Sequence, residues 1–212
     1  MKEKKHLLAA MGIDVWQQKT KDAAIEPSQT MTWEQLEHAA ADCKLCELHK
    51  TCTHIVFGVG NRKAKIIFIG EAPGANEDLQ GEPFVGRAGM LLNEMLFAIG
   101  LKRQDVYITN ILKCRPPNNR DPLPSEIALC TSYLKQEIAL VGPKLLVAVG
   151  RIAAQFLLNT TESMSLLRGK MHKYGEIPVI VTYHPAYLLR SPREKSKAYT
   201  DFKMIKDTGL AA

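Results

Sequence analysis

Five cysteines and one dense glycine–proline loop are the parts of this chain best suited to chemistry. Cys43 and Cys46 form a C-x2-C pair, Cys114 and Cys130 lie far downstream, and Cys52 stands apart. Two thiolates at that spacing reach one metal or cluster. Four such cysteines can hold zinc or an iron–sulfur cluster, and spacing alone does not choose between them. The loop begins Gly70-Glu71-Ala72-Pro73-Gly74 and runs through Glu77-Asp78 to Gly81-Glu82-Pro83-Phe84-Val85-Gly86-Arg87-Ala88-Gly89. Gly and Pro at this density fix a tight turn whose backbone N–H groups are free to face a ligand. Glu71, at its start, can orient a water or stabilise developing positive charge. A nucleotide-phosphate loop is the rival, yet neither G-K-[ST] nor G-x-G-x-x-G follows the strand.

The elements that must carry these residues alternate. Thr32 with Gln35 resembles a capping box, followed by Trp33, Leu36 and Ala40 at helical spacing. Ile66 to Ile69 is a short apolar run ending in Gly70, the mark of a strand buried on both faces. Gly86 to Ile99 reads as a helix, Val106 to Leu112 as a strand and Ser125 to Leu140 as a helix. Leu145 to Val149, Ile152 to Leu158, Pro178 to Tyr183 and Glu194 to Lys206 continue the pattern as strand, helix, strand and helix. Strands separated by helices imply right-handed crossovers. The fold class is therefore α/β, a three-layer α/β/α arrangement around a central, four-stranded, mostly parallel sheet. In such folds the site lies beyond the carboxyl ends of the strands. Residues 1–30 read as a variable extension and 31–212 as one domain.

Composition narrows the class. The chain has 212 residues, 46% hydrophobic and 24% charged, as in a globular protein whose core needs no disulfide staples. No apolar run approaches the ~20 residues of a membrane helix. The first residues imitate a signal peptide only faintly, since Glu3 interrupts the basic part and Asp14 ends a short apolar part. A cytoplasmic, monomeric protein without a membrane partner is expected. The net charge of +6 is concentrated late: from Met164 onward nine Lys or Arg face four Asp or Glu. A basic segment of that kind suits a polyanion.

Three stretches and the cysteines, in this order along the chain, carry a resemblance. Gly70 to Gly89, Thr109-Asn110-Ile111-Leu112-Lys113-Cys114-Arg115-Pro116-Pro117 and His184-Pro185-Ala186-Tyr187-Leu188-Leu189-Arg190 resemble the motifs of the family 4 uracil-DNA glycosylases. The resemblance covers roughly residues 32 to 206. It implies hydrolysis of the N-glycosidic bond of deoxyuridine in DNA, and a [4Fe–4S] cluster on Cys43, Cys46, Cys114 and Cys130. It implies catalytic roles for Glu71, near the sugar carbon, and His184, donating toward uracil O2. Ala72 would line the pocket, Glu77 would add a secondary polar contact, Phe84 would stack on the flipped base, and Asn110 would read its edge. Leu188 and Leu189 would fill the gap left in the DNA, while Arg190, Arg193, Lys195 and Lys197 would hold phosphates. Two other readings share part of the pattern: a zinc- or cluster-stabilised DNA-binding protein without activity, and a related glycosylase of broader base range. Cys52 has no assigned role.

Overall fold

The computed structural model describes residues 31–210, so the expected extension over 1–30 lies outside the described residues. The capping box forms: Thr32 Oγ1 accepts from the Gln35 N–H, the Gln35 side chain accepts from the Thr32 N–H, and α1 (Trp33–Ala41) starts there. Next come β1 (Val59–Gly60), β2 (Ile66–Gly70), α2 (Ala75–Gln80), α3 (Arg87–Phe97) and β3 (Tyr107–Asn110). α4 (Pro124–Val141), β4 (Leu145–Val149), α5 (Arg151–Leu158) and α6 (Met164–Leu167) follow. The hairpin of β5 (Met171–Tyr174) and β6 (Ile177–Thr182), then α7 (Pro185–Arg190) and α8 (Lys195–Asp207), complete the order.

The sheet has six strands in the order β1-β3-β2-β4-β6-β5. Its centre is the expected set of four: β3, β2, β4 and β6 run parallel. The count of four is corrected by two antiparallel edge strands, β1 on β3 and β5 on β6. Both escape sequence reading because β1 is two residues long and β5, half-exposed, carries no continuous apolar run.

Alternate residues of the central strands face opposite layers, which is how a buried strand reads as an unbroken apolar run. Ile67, Ile69, Leu146, Ala148, Val179 and Val181 pack with α1, α4 and α5. Ile66, Phe68, Ile108, Val147, Val149 and Ile180 pack with α3 and α8. The loop after β2 thus leads toward one layer and the loop after β4 toward the other. A crevice opens where they diverge, at the carboxyl ends of the sheet. No helix among the described residues is long and apolar enough to cross a membrane.

Candidate active site

A cavity of about 420 Å³ occupies that crevice, and Glu71, Ala72, Glu77, Phe84, Asn110 and His184 all line it. The sheet register brings the first two elements together, because Gly70 at the end of β2 pairs with Asn110 at the end of β3. Asn110 is 2% exposed, and its Oδ1 is buried with no hydrogen-bond partner among the described residues. A buried polar atom left in that state costs free energy unless something else meets it. Gly70 makes the close packing feasible: a Cβ there would lie 2.3 Å from Asn110 Oδ1 and 2.7 Å from the Phe84 ring.

Phe84 is held from both sides. Its backbone is left-handed, with φ 54°, which an aromatic residue adopts only when its surroundings enforce it. Glu77 Oε1 accepts from the N–H groups of Val85 and Gly86 at 3.0 and 2.9 Å. Arg103 Nη1 donates to the Phe84 carbonyl at 3.1 Å, and Nη2 donates to the Pro83 carbonyl. Gly89 lets the next helix pass close by, since a Cβ there would lie 1.7 Å from the Phe84 carbonyl oxygen. The Phe84 ring then stacks on the His184 imidazole, with centroids 5.5 Å apart and planes inclined by 28°. Glu77, expected as a secondary polar contact, has one carboxylate oxygen committed to shaping the loop that presents Phe84. Arg103 had no sequence signal: its partners lie 19 and 20 residues away and are backbone atoms.

His184 caps α7, its Nδ1 accepting from the Ala186 N–H at 3.1 Å. A neutral imidazole accepting at Nδ1 carries its proton on Nε2. Burial foremost, then the Arg190 charge, with Glu77 opposing, holds this histidine down at about 4. It is therefore a neutral donor at physiological pH. Glu71 is displaced the other way: burial and the Asp121 charge, opposed by Arg151, push its carboxyl up to about 7. Asp121, which lines the cavity, forms an ion pair at 2.7 Å with Arg151, the first residue of α5, a feature invisible to motif reading because the partners lie 30 residues apart.

The basic rim departs in part from expectation. Tyr187 and Arg190 reach the cavity, and Arg193, Lys195 and Lys197 are exposed along the adjoining segment. Lys197 is paired with Glu194 at 2.8 Å. Leu188 is corrected: at 1% exposure it lies inside the protein and cannot enter DNA as it stands. The stretch between the expected strand ending at Tyr183 and the expected helix from Glu194 contains the helix α7, which turns Leu188 inward and leaves Tyr187 and Leu189 at the surface, 38% and 36% exposed.

Cys43, Cys46, Cys114 and Cys130 line one small pocket next to this site, walled otherwise chiefly by apolar side chains including Ala40, Leu48 and Leu129. The Lys113 backbone N–H lies 3.3 Å from Cys130 Sγ. The thiol of Cys52 also reaches this region, 3.0 Å from Cys114 Sγ.

The fold and cavity define an α/β protein with a crevice at the carboxyl ends of its sheet, lined by Phe84, Asn110 and His184 among others. A model of the uracil DNA glycosylase superfamily matches residues 57–203. The chain is 52% identical over 171 residues to the type-4 uracil-DNA glycosylase of Archaeoglobus fulgidus, covering 77% of this chain and 86% of that one. It is 43% identical to the Sulfurisphaera tokodaii protein of the same description, over 84% of each chain. With the Thermotoga maritima protein, also described as type-4, identity is 47% over 70% of this chain and 79% of that one. The chain belongs to the uracil-DNA glycosylase superfamily, and within it to the type-4 family.

Proposed function

We infer that this protein excises uracil from DNA, hydrolysing the N-glycosidic bond of deoxyuridine to release uracil and leave an abasic site. One observation carries the reading: the buried, unpartnered Oδ1 of Asn110 beside the Phe84 ring. Uracil offers N3–H to that oxygen and O4 to the amide N–H of the same side chain. Cytosine presents the opposite pattern on both atoms, so it leaves buried groups unpaired and is rejected.

The target base must leave the stack to be reached. Phe84 then supplies a π face, and His184 Nε2–H donates to O2 as negative charge builds on the departing ring. The other half of the bond becomes an oxocarbenium-like sugar. Glu71 stabilises that cation and orients the incoming water. Arg190, Arg193, Lys195 and Lys197 contact phosphates, and Leu189 with Tyr187 takes the place assigned to the leucine pair. Every group in the site comes from one chain, so a monomer suffices. A binding protein without activity is not favoured, because it gives Glu71, Asn110 and His184 no reason to share a cavity.

The four cysteines suit a [4Fe–4S] cluster. Cys43, Cys46, Cys114 and Cys130 line one pocket walled chiefly by apolar side chains. A cluster spreads its thiolates over several irons and fits four sulfurs around one shared apolar pocket. When bound, it supplies cross-links between the turn after α1, the loop after β3 and α4. No chemical step is assigned to it.

The test is strand breakage by hot alkali after treating a labelled oligonucleotide carrying one deoxyuridine. Cleavage at that position alone, by protein containing iron and sulfide, is expected. Iron-loaded protein that cleaves neither the single- nor the double-stranded substrate would overturn the reading. Glu71 gives a further check. The active form is the carboxylate, so kcat/KM should rise with pH and level off above about 7. Glu71→Gln should remove that limb and lower the plateau. The same shift has a stability sign. Ionising near 4.5 when unfolded and near 7 when folded, Glu71 contributes stability that is full below 4.5 and lost as pH rises through 7. Thermal unfolding should therefore show Glu71→Gln more stable relative to the parent at pH 8 than at pH 5.

A further inference from the structure

A buried ion pair lies directly under the base-reading residue. The side chains of Lys113 and Glu137 are 3% and 0% exposed and meet at 2.6 Å. The remaining donors of the Lys113 ammonium go to Thr109 Oγ1 at 2.7 Å and to the Asn110 carbonyl oxygen at 2.9 Å. Glu137 is equally occupied, accepting from the Gly58 N–H, the Tyr107 hydroxyl and the Thr109 hydroxyl. Such a pair contributes little net stability compared with apolar packing, because both ions must be stripped of water. What it supplies is direction.

The direction matters because of where the sheet stops. The Ile111 N–H donates to Gly70 O on the β2 side. In a trans peptide the Asn110 carbonyl of the same unit points the opposite way, toward β1. β1 begins only at Val59, opposite Ile108, so no strand among the described residues reaches that carbonyl. The ammonium of Lys113 takes the place of the missing strand. Its own backbone is tied in turn: the Lys113 N–H faces Cys130 Sγ, and its carbonyl accepts from the Val56 N–H at 2.7 Å.

We propose that the Lys113–Glu137 pair is a positioning device for the reaction, fixing the Asn110 peptide so that the side-chain amide is aimed at uracil. This rests on the reading of Asn110 as the base-reading residue. Lys113 touches no substrate; it acts through Asn110.

The experiment uses the full chain with its iron content matched across variants. Lys113→Met/Glu137→Gln removes both charges and keeps an acceptor for Gly58 and Tyr107. The single-turnover rate on a deoxyuridine oligonucleotide should fall ~10–100-fold, the effect of a misplacement on the order of 1 Å. Inhibition by free uracil should weaken by a similar factor, while KM for the oligonucleotide stays within about twofold because phosphate contacts are untouched. The decisive reading is a double-mutant cycle with Asn110→Ala. Added to Asn110→Ala, the pair replacement should cost no further rate, whereas losses that multiply would mark a merely structural role and overturn the proposal. A parental rate for the pair replacement in a background where Asn110→Ala is inactive would also overturn it. A parental rate for Asn110→Ala itself would instead remove the reading beneath it. Should the charge-free pair not fold, Thr109→Val, which deletes the hydroxyl joining the two ions, carries the same cycle with an expected loss of ~3–10-fold.

Discussion

Replacing Asn110 by Ala is expected to abolish most uracil excision without destabilising the protein. The two effects follow from one observation, the buried Oδ1 that has no hydrogen-bond partner among the described residues. Two hydrogen bonds to a base acquiring charge are worth about 3–6 kcal/mol at 1.5–3 kcal/mol each. Their loss corresponds to about 10²–10⁴-fold in rate. The replacement breaks no hydrogen bond between that oxygen and the described residues, so the folded state loses only its packing against Phe84. Single-turnover kinetics alongside thermal unfolding check both halves. A variant that is slow and also markedly less stable would assign Asn110 to the framework and not to the substrate.

His184→Ala should lower kcat by about 10²–10³-fold, the usual cost of deleting one donor aimed at developing negative charge. The histidine reaches the reaction neutral, held down at about 4 by burial and by Arg190. No limb near 6.5 should therefore appear in the rate profile, and in Glu71→Gln the rate should be nearly flat between about pH 5 and 8. A limb near 6.5 that disappears in His184→Ala would mean that an imidazolium is the working form. Stability carries the matching sign. This depressed histidine contributes stability present above 6.5 and lost as pH falls through about 4. The replacement also removes the acceptor for the Ala186 N–H at the start of α7, a cap worth about 1 kcal/mol.

Much of this arrangement is legible in the amino-acid sequence. Ile66 to Ile69 and Leu145 to Val149 are apolar without alternation, and only a strand covered on both faces requires that. His184 follows directly on the apolar run that ends at Tyr183, whereas the expected strand Val106 to Leu112 runs past Asn110, where β3 stops. Other features had no local signature. Leu188 and Leu189 are chemically alike, and only the rotation of α7 sends one inward and the other to the surface. The left-handed turn at Phe84 is enforced by Arg103, Glu77 and Gly89, partners that sequence spacing does not connect. The Lys113–Glu137 pair spans 24 residues, and within its motif Lys113 looks like another surface cation. Long-range complementarity was hidden; periodicity was not.

The sheet order has a consequence for the growing polypeptide. Glu71 directly follows β2 and Asn110 ends the neighbouring β3, but the histidine that shares their cavity follows β6, more than seventy residues beyond Asn110. α8, which covers one face of the sheet, comes later still. Domains emerge from synthesis N-terminal end first. A chain halted before β6 therefore has cysteines, base reader and carboxylate but no donor for the leaving base and an uncovered sheet. Such a truncated product is expected to lack excision activity, which requires β6 and the segment that follows it to be made and docked.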